Sequence, residues 1–516
     1  MLCGLMGLGV STSAETGRPR LVVGIMVDQL RTDYLENLQG LFSDKGFNRL
    51  LQEGIYMPDI DYRVTNLDPV TSTAILYTGN YPRYNGITSS KVYSPAAKDM
   101  VFALADPASI GNFTTETFSP ANLRLSTISD ELAVFNDGKG AVYSIAPDAQ
   151  QSVVMAGHAG NSAFWINENT GNWASTTYYL DNPSILTQKN YTSPLTSRLD
   201  TLVWRPVNER PLPGKSKDTD YTFVHRFPTA DRSVFKMYAA SPMANSEVTD
   251  AALEYIETLG LGKDGGETDM LNLAFTAAPY NFEGLSSHGA ELEDTYLRLD
   301  KDLERLFDAL DKNVGMDNVL IYLASTGYFD DGRADDQKFR LPTGNFSVKR
   351  ALSLLNSYLA AQYGNGSYVD TYSDSHVYLN RKEIEEKKLD LREVAEVSRD
   401  FLVRMSGVND AFTMADIMGS ALPSMEALRL GTDPKTGGDI ILEFNAGWNI
   451  VDDTRFPNDV KVERSSAALT PAFIMGNGIK PEVIEKTVDA IEIAPTLARL
   501  LRIRSPNGAT AKSLVN

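Results

Sequence analysis

Two kinds of apolar pattern alternate along the chain and together predict an α/β fold. The run Leu21–Asp28, LVVGIMVD, is apolar at consecutive positions and rich in β-branched residues, as in a parallel strand buried on both faces. It ends in an acid, at the strand end where α/β sheets place their chemistry. Met270 to Phe275 and Asn318 to Ser325 repeat that texture, and Asp439 to Phe444 and Ala472 to Met475 predict two further strands. Between Glu291 and Lys312 the pattern changes. Leu292, Tyr296, Leu299, Leu303, Leu306 and Leu310 recur at four- and three-residue steps, one apolar stripe of a helix with charge on its other side. IEIAPTLARLL predicts a closing helix, and Ser347 to Met418 reads as a charged, helical section. From about Val101 to Asp250 short β-like runs alternate with Asn, Gly, Ser and Pro, and Phe164 to Tyr179 predicts a hairpin turning at Asn169 to Asn172. The expected organisation is a leader or disordered tail over 1–18 and an α/β core in three parts, 19–110, 261–346 and 437–516. A cap is expected over 111–260 and a helical insertion over 347–436.

Composition narrows the function. A hydrophobic content of 42% over 516 residues supports a large core. Lys and Arg number 48 against 67 Asp and Glu, a formal charge of −19, which disfavours nucleic acid and anionic membrane surfaces. The opening MLCGLMGLGVSTSAETGRPR reads as the tail of a secretory signal peptide, apolar from Leu2 to Val10 with small residues from Ser11 to Ala14. That predicts export, to the periplasm or beyond. Cys3, the one cysteine, falls inside this leader, which excludes disulfide and thiolate chemistry from the mature chain. No later apolar stretch reaches the roughly 18 residues of a spanning helix, so no transmembrane segment is expected.

Several stretches carry a family signal in their order and spacing. They are VDQLRTDYL, YTGNYPRYNGI, AGHAGNSAFW, ELEDTYLRLDKDLERLFDALDKNVGMDNVLIYL, TPAFIMGNGI and DAIEIAPTLARLL. Across Leu21 to Ile503 the chain resembles PafA-type alkaline phosphatases, related to the nucleotide pyrophosphatase/phosphodiesterases. The resemblance implies a mostly parallel central sheet with helices on both faces and an inserted cap. It also implies two zinc ions held by three Asp and three His, with a Thr or Ser nucleophile between them. Paired cations of this kind stabilise both the attacking and leaving oxygens of phosphoryl transfer.

Position by position, the sequence departs from that set. Asp28 matches the first metal-ligating Asp. The nucleophile position falls on Pro69; Thr71 is the alternative nearby, ahead of Asp68, Ser72 and Thr73. Pro279 and Glu283 stand where an Asp and a His are required, and Ser325 and Thr326 replace the Asp-His pair after the Asn318 strand. No histidine follows His376, so the last ligand is missing. Asp148 and Gln150 occupy the places of a phosphate-binding Lys-x-Arg pair, and Ser90 that of a phosphate-contacting Asn. These departures predict an exported pseudoenzyme without the two-zinc site, nucleophile or cofactor, serving a binding or structural role toward a protein or glycan. The alternative is a metal-dependent phosphomonoesterase or phosphodiesterase with a rebuilt site. There Asp28, Asp68 and Glu283 would hold Mg²⁺ or Ca²⁺ ahead of Zn²⁺, with Thr71 as nucleophile and Ser90 on the substrate.

Overall fold

The computed structural model describes residues 17–179, 182–207, 223–263, 266–280, 289–327, 344–453, 460–462 and 468–515. Residues 1–16 of the expected leader (Cys3 included), Glu283 and His288 lie outside these residues.

A ten-stranded sheet forms the core. Leu21–Asp28 lies at its middle, parallel to Asp269–Thr276 on one side and to Val319–Ser325 on the other. Val142–Ala146 and Ser162–Ile166 extend the parallel set beyond Asp269–Thr276. Hydrophobicity at consecutive positions suits this arrangement, because alternate side chains enter different layers. Leu21, Val23, Ile25 and Val27 pack with helices Pro242–Thr258 and Gly289–Asn313. Val22 and Met26 face the opposite layer, with helices Pro69–Thr78, Ile128–Phe135 and Ile493–Leu501. The mostly parallel α/β sheet with helices on both faces, expected from the resemblance, is therefore present. Every residue of the predicted stripe from Leu292 to Leu310 is buried. Gly24 is required where it stands: a Cβ there would lie 2.4 Å from the Tyr322 hydroxyl, inside a buried cluster with Asn272.

Two sections differ from expectation. The predicted hairpin forms, Ser162–Ile166 against Trp173–Thr176, with the Asn167 carboxamide accepting from the backbone N–H of Asn169 and Thr170 across the turn. It sits in the central sheet, however, and not apart from it. The section expected to be helical, 347–436, also contains the strands Val369–Ser373, His376–Leu379 and Val408–Thr413. The last two flank Ile440–Phe444 and the first pairs with His376–Leu379, making a separate four-stranded sheet. Short strands interrupted by Asp, Ser and Asn lack the continuous apolar run of a core strand, so helix-forming neighbours dominated the pattern.

Candidate active-site cleft

The parallel strands place their C-terminal ends on one edge, and a cavity of about 470 Å³ opens there. Asp28 ends the central strand, in register with Thr276. Asp148 and Glu168 each follow two residues after a neighbouring strand, Val142–Ala146 and Ser162–Ile166. All four line the cavity, together with Pro69, Ser90, Lys91, Glu116, Gln150 and the aromatic residues Phe102, Phe118 and Trp165.

Local structure explains how each is held. Immediately after Asp28 the chain adopts a left-handed conformation at Gln29, φ 58°, although Gln29 is not glycine. Such strain persists only where the surroundings enforce it; here the Gln29 N–H donates to Thr326 Oγ1 at 3.2 Å. The Thr326 hydroxyl in turn donates to Asp28 Oδ1 at 2.9 Å. Asp68 caps helix Pro69–Thr78 by accepting from the Thr71 N–H, and its other oxygen accepts from the Ser90 N–H at 2.5 Å. Asp148 caps helix Ala149–Ala156 through the Gln151 N–H. The Gln150 carboxamide is committed to backbone, accepting from Leu104 N–H and donating to Ser90 O.

The electrostatics are those of crowded acids. Burial, with repulsion from Asp148 and Asp68, pushes the Asp28 carboxyl up to about 7. Burial, with repulsion from Asp68, Glu116 and Glu168, pushes Asp148 up to about 6. Among the described residues Lys91 is the cation lining the cleft. Its ammonium lies 4.9 Å from the centre of the Phe102 ring.

The structure thus brings Asp28, Ser90, Asp148 and Gln150 to one cleft, with Asp68 beside it. Thr71 is not among them: it is fully buried and does not line the cavity. Pro69 and Val70, which precede it at the start of the same helix, do line the cavity. Ser325 and Thr326 are likewise fully buried, the Ser325 hydroxyl donating to Leu30 O. The described histidines lie elsewhere. His158 bridges Asp130 and Leu123 O, His225 pairs with Glu291, and His376 accepts from the Gly438 N–H. Glu116, Glu168 and the aromatic wall were not picked out from the sequence. For Glu168 the signal was its position just past a predicted strand; for Glu116 and Phe102 the sequence carried none.

The geometry can be set beside known proteins. A family profile described as "Type I phosphodiesterase / nucleotide pyrophosphatase" matches residues 22–466. The chain is 28% identical to alkaline phosphatase PhoV of Synechococcus elongatus over 97% of its length and 93% of that protein. It is 28% identical to alkaline phosphatase PafA of Elizabethkingia meningoseptica, covering 98% of this chain and 96% of that one. The crystal structure of wild-type alkaline phosphatase PafA superposes with a TM-score of 0.82 at 25% identity, over 96% and 98% of the two chains.

These matches correct two expectations. A pseudoenzyme is not what they support: nearly the whole chain is similar to proteins named as alkaline phosphatases. The expectation of no cofactor falls with it, since those relatives belong to a family that uses metal ions. The physical reason is that missing zinc ligands exclude one ligand set. Phosphoryl transfer asks for positioned charge and proton transfer, which other side chains can supply.

Proposed function

Since the chain belongs to the type I phosphodiesterase/nucleotide pyrophosphatase family, we propose that it is an exported phosphoric ester hydrolase with a rebuilt site. The observation carrying this reading is the cleft at the C-terminal sheet edge, built around Asp28.

The family's two-zinc arrangement does not fit the described residues. Among them no three His, Cys, Asp or Glu side chains come together as a metal site. Asp28 accepts from a threonine hydroxyl, while Asp68 and Asp148 accept from backbone N–H groups. A metal ion bound at the cleft beside Asp28 would supply positive charge to the phosphoryl oxygens, and the chain's own groups would act with it as follows. With its carboxyl near 7, Asp28 can take or give a proton at neutral pH, the condition for general acid–base catalysis. Lys91 and Ser90 are the positive charge and hydroxyl at the cleft available to phosphoryl oxygens. Among the described residues no helix is long and apolar enough to cross a membrane, which is compatible with an exported protein.

The test is hydrolysis of 4-nitrophenyl phosphate and bis(4-nitrophenyl) phosphate, without added metal and with Zn²⁺, Mg²⁺ or Ca²⁺. Turnover of either ester, reduced roughly 100-fold or more in Asp28→Asn, is expected. Absence of turnover under every condition overturns the reading.

A further inference from the structure

The four-stranded sheet outside the core reaches toward the cleft through the tip of a hairpin. Its buried side chains, Tyr372, Val377, Leu379 and Ile440 among them, cluster within residues 346–450 and form a core of their own. The hairpin pairs Val369–Ser373 with His376–Leu379 and turns at Asp374 and Ser375, both left-handed, φ 46° and 68°. Aspartate, asparagine and glycine suit that conformation. The turn is held from behind, Ser375 O accepting from the Leu442 N–H at 2.9 Å. Asp374 is exposed and meets the core twice. Its carbonyl accepts from Asn66 Nδ2 at 3.0 Å, and its Oδ2 accepts from the Ser89 hydroxyl at 3.0 Å. Asn66 and Ser89 stand on two loops that Asp68 ties together, since its carboxylate accepts from both the Thr71 N–H and the Ser90 N–H. Each loop runs directly into the cleft wall: Pro69 and Val70 follow Asp68, and Ser90 and Lys91 follow Ser89. Two cavities, of about 20 and 150 Å³, flank the tip, and Asn66 lines both. Hydrogen bonds, more than close packing, therefore set where the tip sits.

We infer that Asp374 is a positioning residue, through which the second sheet holds the part of the cleft wall that carries Ser90 and Lys91. The Ser89 hydroxyl is the link. It donates to Asp374 and lies 3.4 Å from Asp68 Oδ2, the same oxygen that accepts from the Ser90 N–H. The Ser90 carbonyl is fixed on its other side, by the Gln150 carboxamide at 3.0 Å and the Ala103 N–H at 2.9 Å. Loss of the Asp374 carboxylate frees Ser89 from the second sheet and leaves Asp68 to hold that side of the loop. The consequence for turnover rests on the hydrolase reading, whereas the contact stands without it. Under that reading Ser90 and Lys91 meet phosphoryl oxygens, and a displacement of about 1 Å at such groups costs up to roughly 100-fold in rate.

Two variants isolate the carboxylate. Asp374→Gly removes it and keeps the left-handed turn, whereas Asp374→Asn keeps the turn and an acceptor oxygen for Ser89. Asp374 is exposed and its sheet has its own core, so both variants should unfold at the wild-type urea concentration. Hydrogen exchange followed by mass spectrometry on the full chain, in peptides spanning 88–94, reads the contact directly. Asp374→Gly should exchange there roughly threefold to tenfold faster, and Asp374→Asn at the wild-type rate. Turnover of the nitrophenyl esters should follow the same order, kcat/KM falling roughly tenfold in Asp374→Gly and recovering in Asp374→Asn. Adding Ser89→Ala to Asp374→Gly should cost nothing further, since both remove the same bond. Unchanged exchange in Asp374→Gly overturns the proposal, whether or not any ester is hydrolysed. An active wild type with undiminished turnover in Asp374→Gly also overturns it and leaves the hydrolase reading standing. Faster exchange in Asp374→Gly that asparagine restores, in a chain that hydrolyses no ester, supports the positioning contact and overturns the hydrolase reading.

Discussion

Two buried carboxylates, some distance apart in the sequence, divide the molecule into a settled corner and an unsettled one. Asp130, at the start of helix Ile128–Phe135, accepts from the Thr127 N–H at 2.7 Å, the Ala159 N–H at 2.8 Å and His158 Nδ1 at 3.0 Å. The other His158 nitrogen lies 2.9 Å from Leu123 O, so both nitrogens face acceptors and the imidazolium form is favoured. Burial works against the charge on Asp130, yet these bonds hold its carboxyl below the ordinary value. Asp28 is also desolvated, but a threonine hydroxyl and the Gln29 side chain are what oppose that, with other acids nearby, and its carboxyl rises to about 7. The AGH segment is thus a structural clamp. The uncompensated charge, where a ligand could be stabilised, lies at the sheet edge.

Removing each carboxylate should expose the difference. The largest effect is expected from Asp130→Ala, which strands the buried Thr127 N–H, the part-buried Ala159 N–H and the His158 cation. A loss of about 3 kcal/mol in urea unfolding is expected; a change under 1 kcal/mol would show the corner is not clamped. Asp28→Asn should do the reverse. Because the folded carboxyl lies above its ordinary 3.8, at about 7, its contribution is fully present below pH 3.8 and lost as pH rises through 7. The variant should therefore be more stable than wild type at pH 8, by roughly 1–2 kcal/mol, and equal to it near pH 3. Asp130 carries the opposite sign, its contribution being lost as pH falls through its depressed value. A smaller effect is expected at His376, which burial holds down at about 4 and whose Nδ1 accepts from Gly438. Its neutral form is favoured in the fold, so stability should decline as pH falls from 6.5 toward 4, by on the order of 1 kcal/mol. His376→Gln should flatten that stretch of the pH–stability curve, and an unchanged slope would assign it to other groups.

How legible this was depended on whether a residue's role is local or spatial. Leu21–Asp28 and the Leu292 to Leu310 stripe were readable because consecutive or three-to-four-residue apolar spacing directly encodes burial. The strands Val369–Ser373 and Val408–Thr413 were not, since Asp370, Thr371, Asn409 and Asp410 break the pattern that marks a strand. At the cleft, Asp28 was legible as the acid ending a strand, and Asp148 as a departure from a spaced motif. Thr71 was credible by spacing, yet it is fully buried and does not line the cavity, whereas Pro69 and Val70 just before it do. Glu116 and Phe102 come to Asp148 only through folding, from loops and short strands with no periodicity of their own.

Asp148 separates the two kinds of role within one residue, and this makes the smallest stability effect the most informative. Its carboxylate caps helix Ala149–Ala156 through the Gln151 N–H and also lines the cleft among Asp28, Glu116 and Glu168. Asparagine is as good an N-cap as aspartate, because either side-chain oxygen can accept from the first-turn N–H. Asp148→Asn should therefore change unfolding stability by less than about 0.5 kcal/mol at pH 6. What it removes is charge. Repulsion on Asp28 should ease, and the Asp28 carboxyl should titrate below about 7, as followed by carboxyl NMR. A titration unmoved by the substitution would mean burial alone raises Asp28. The two acids would then stand in separate environments, and the cleft could not be treated as one electrostatic site.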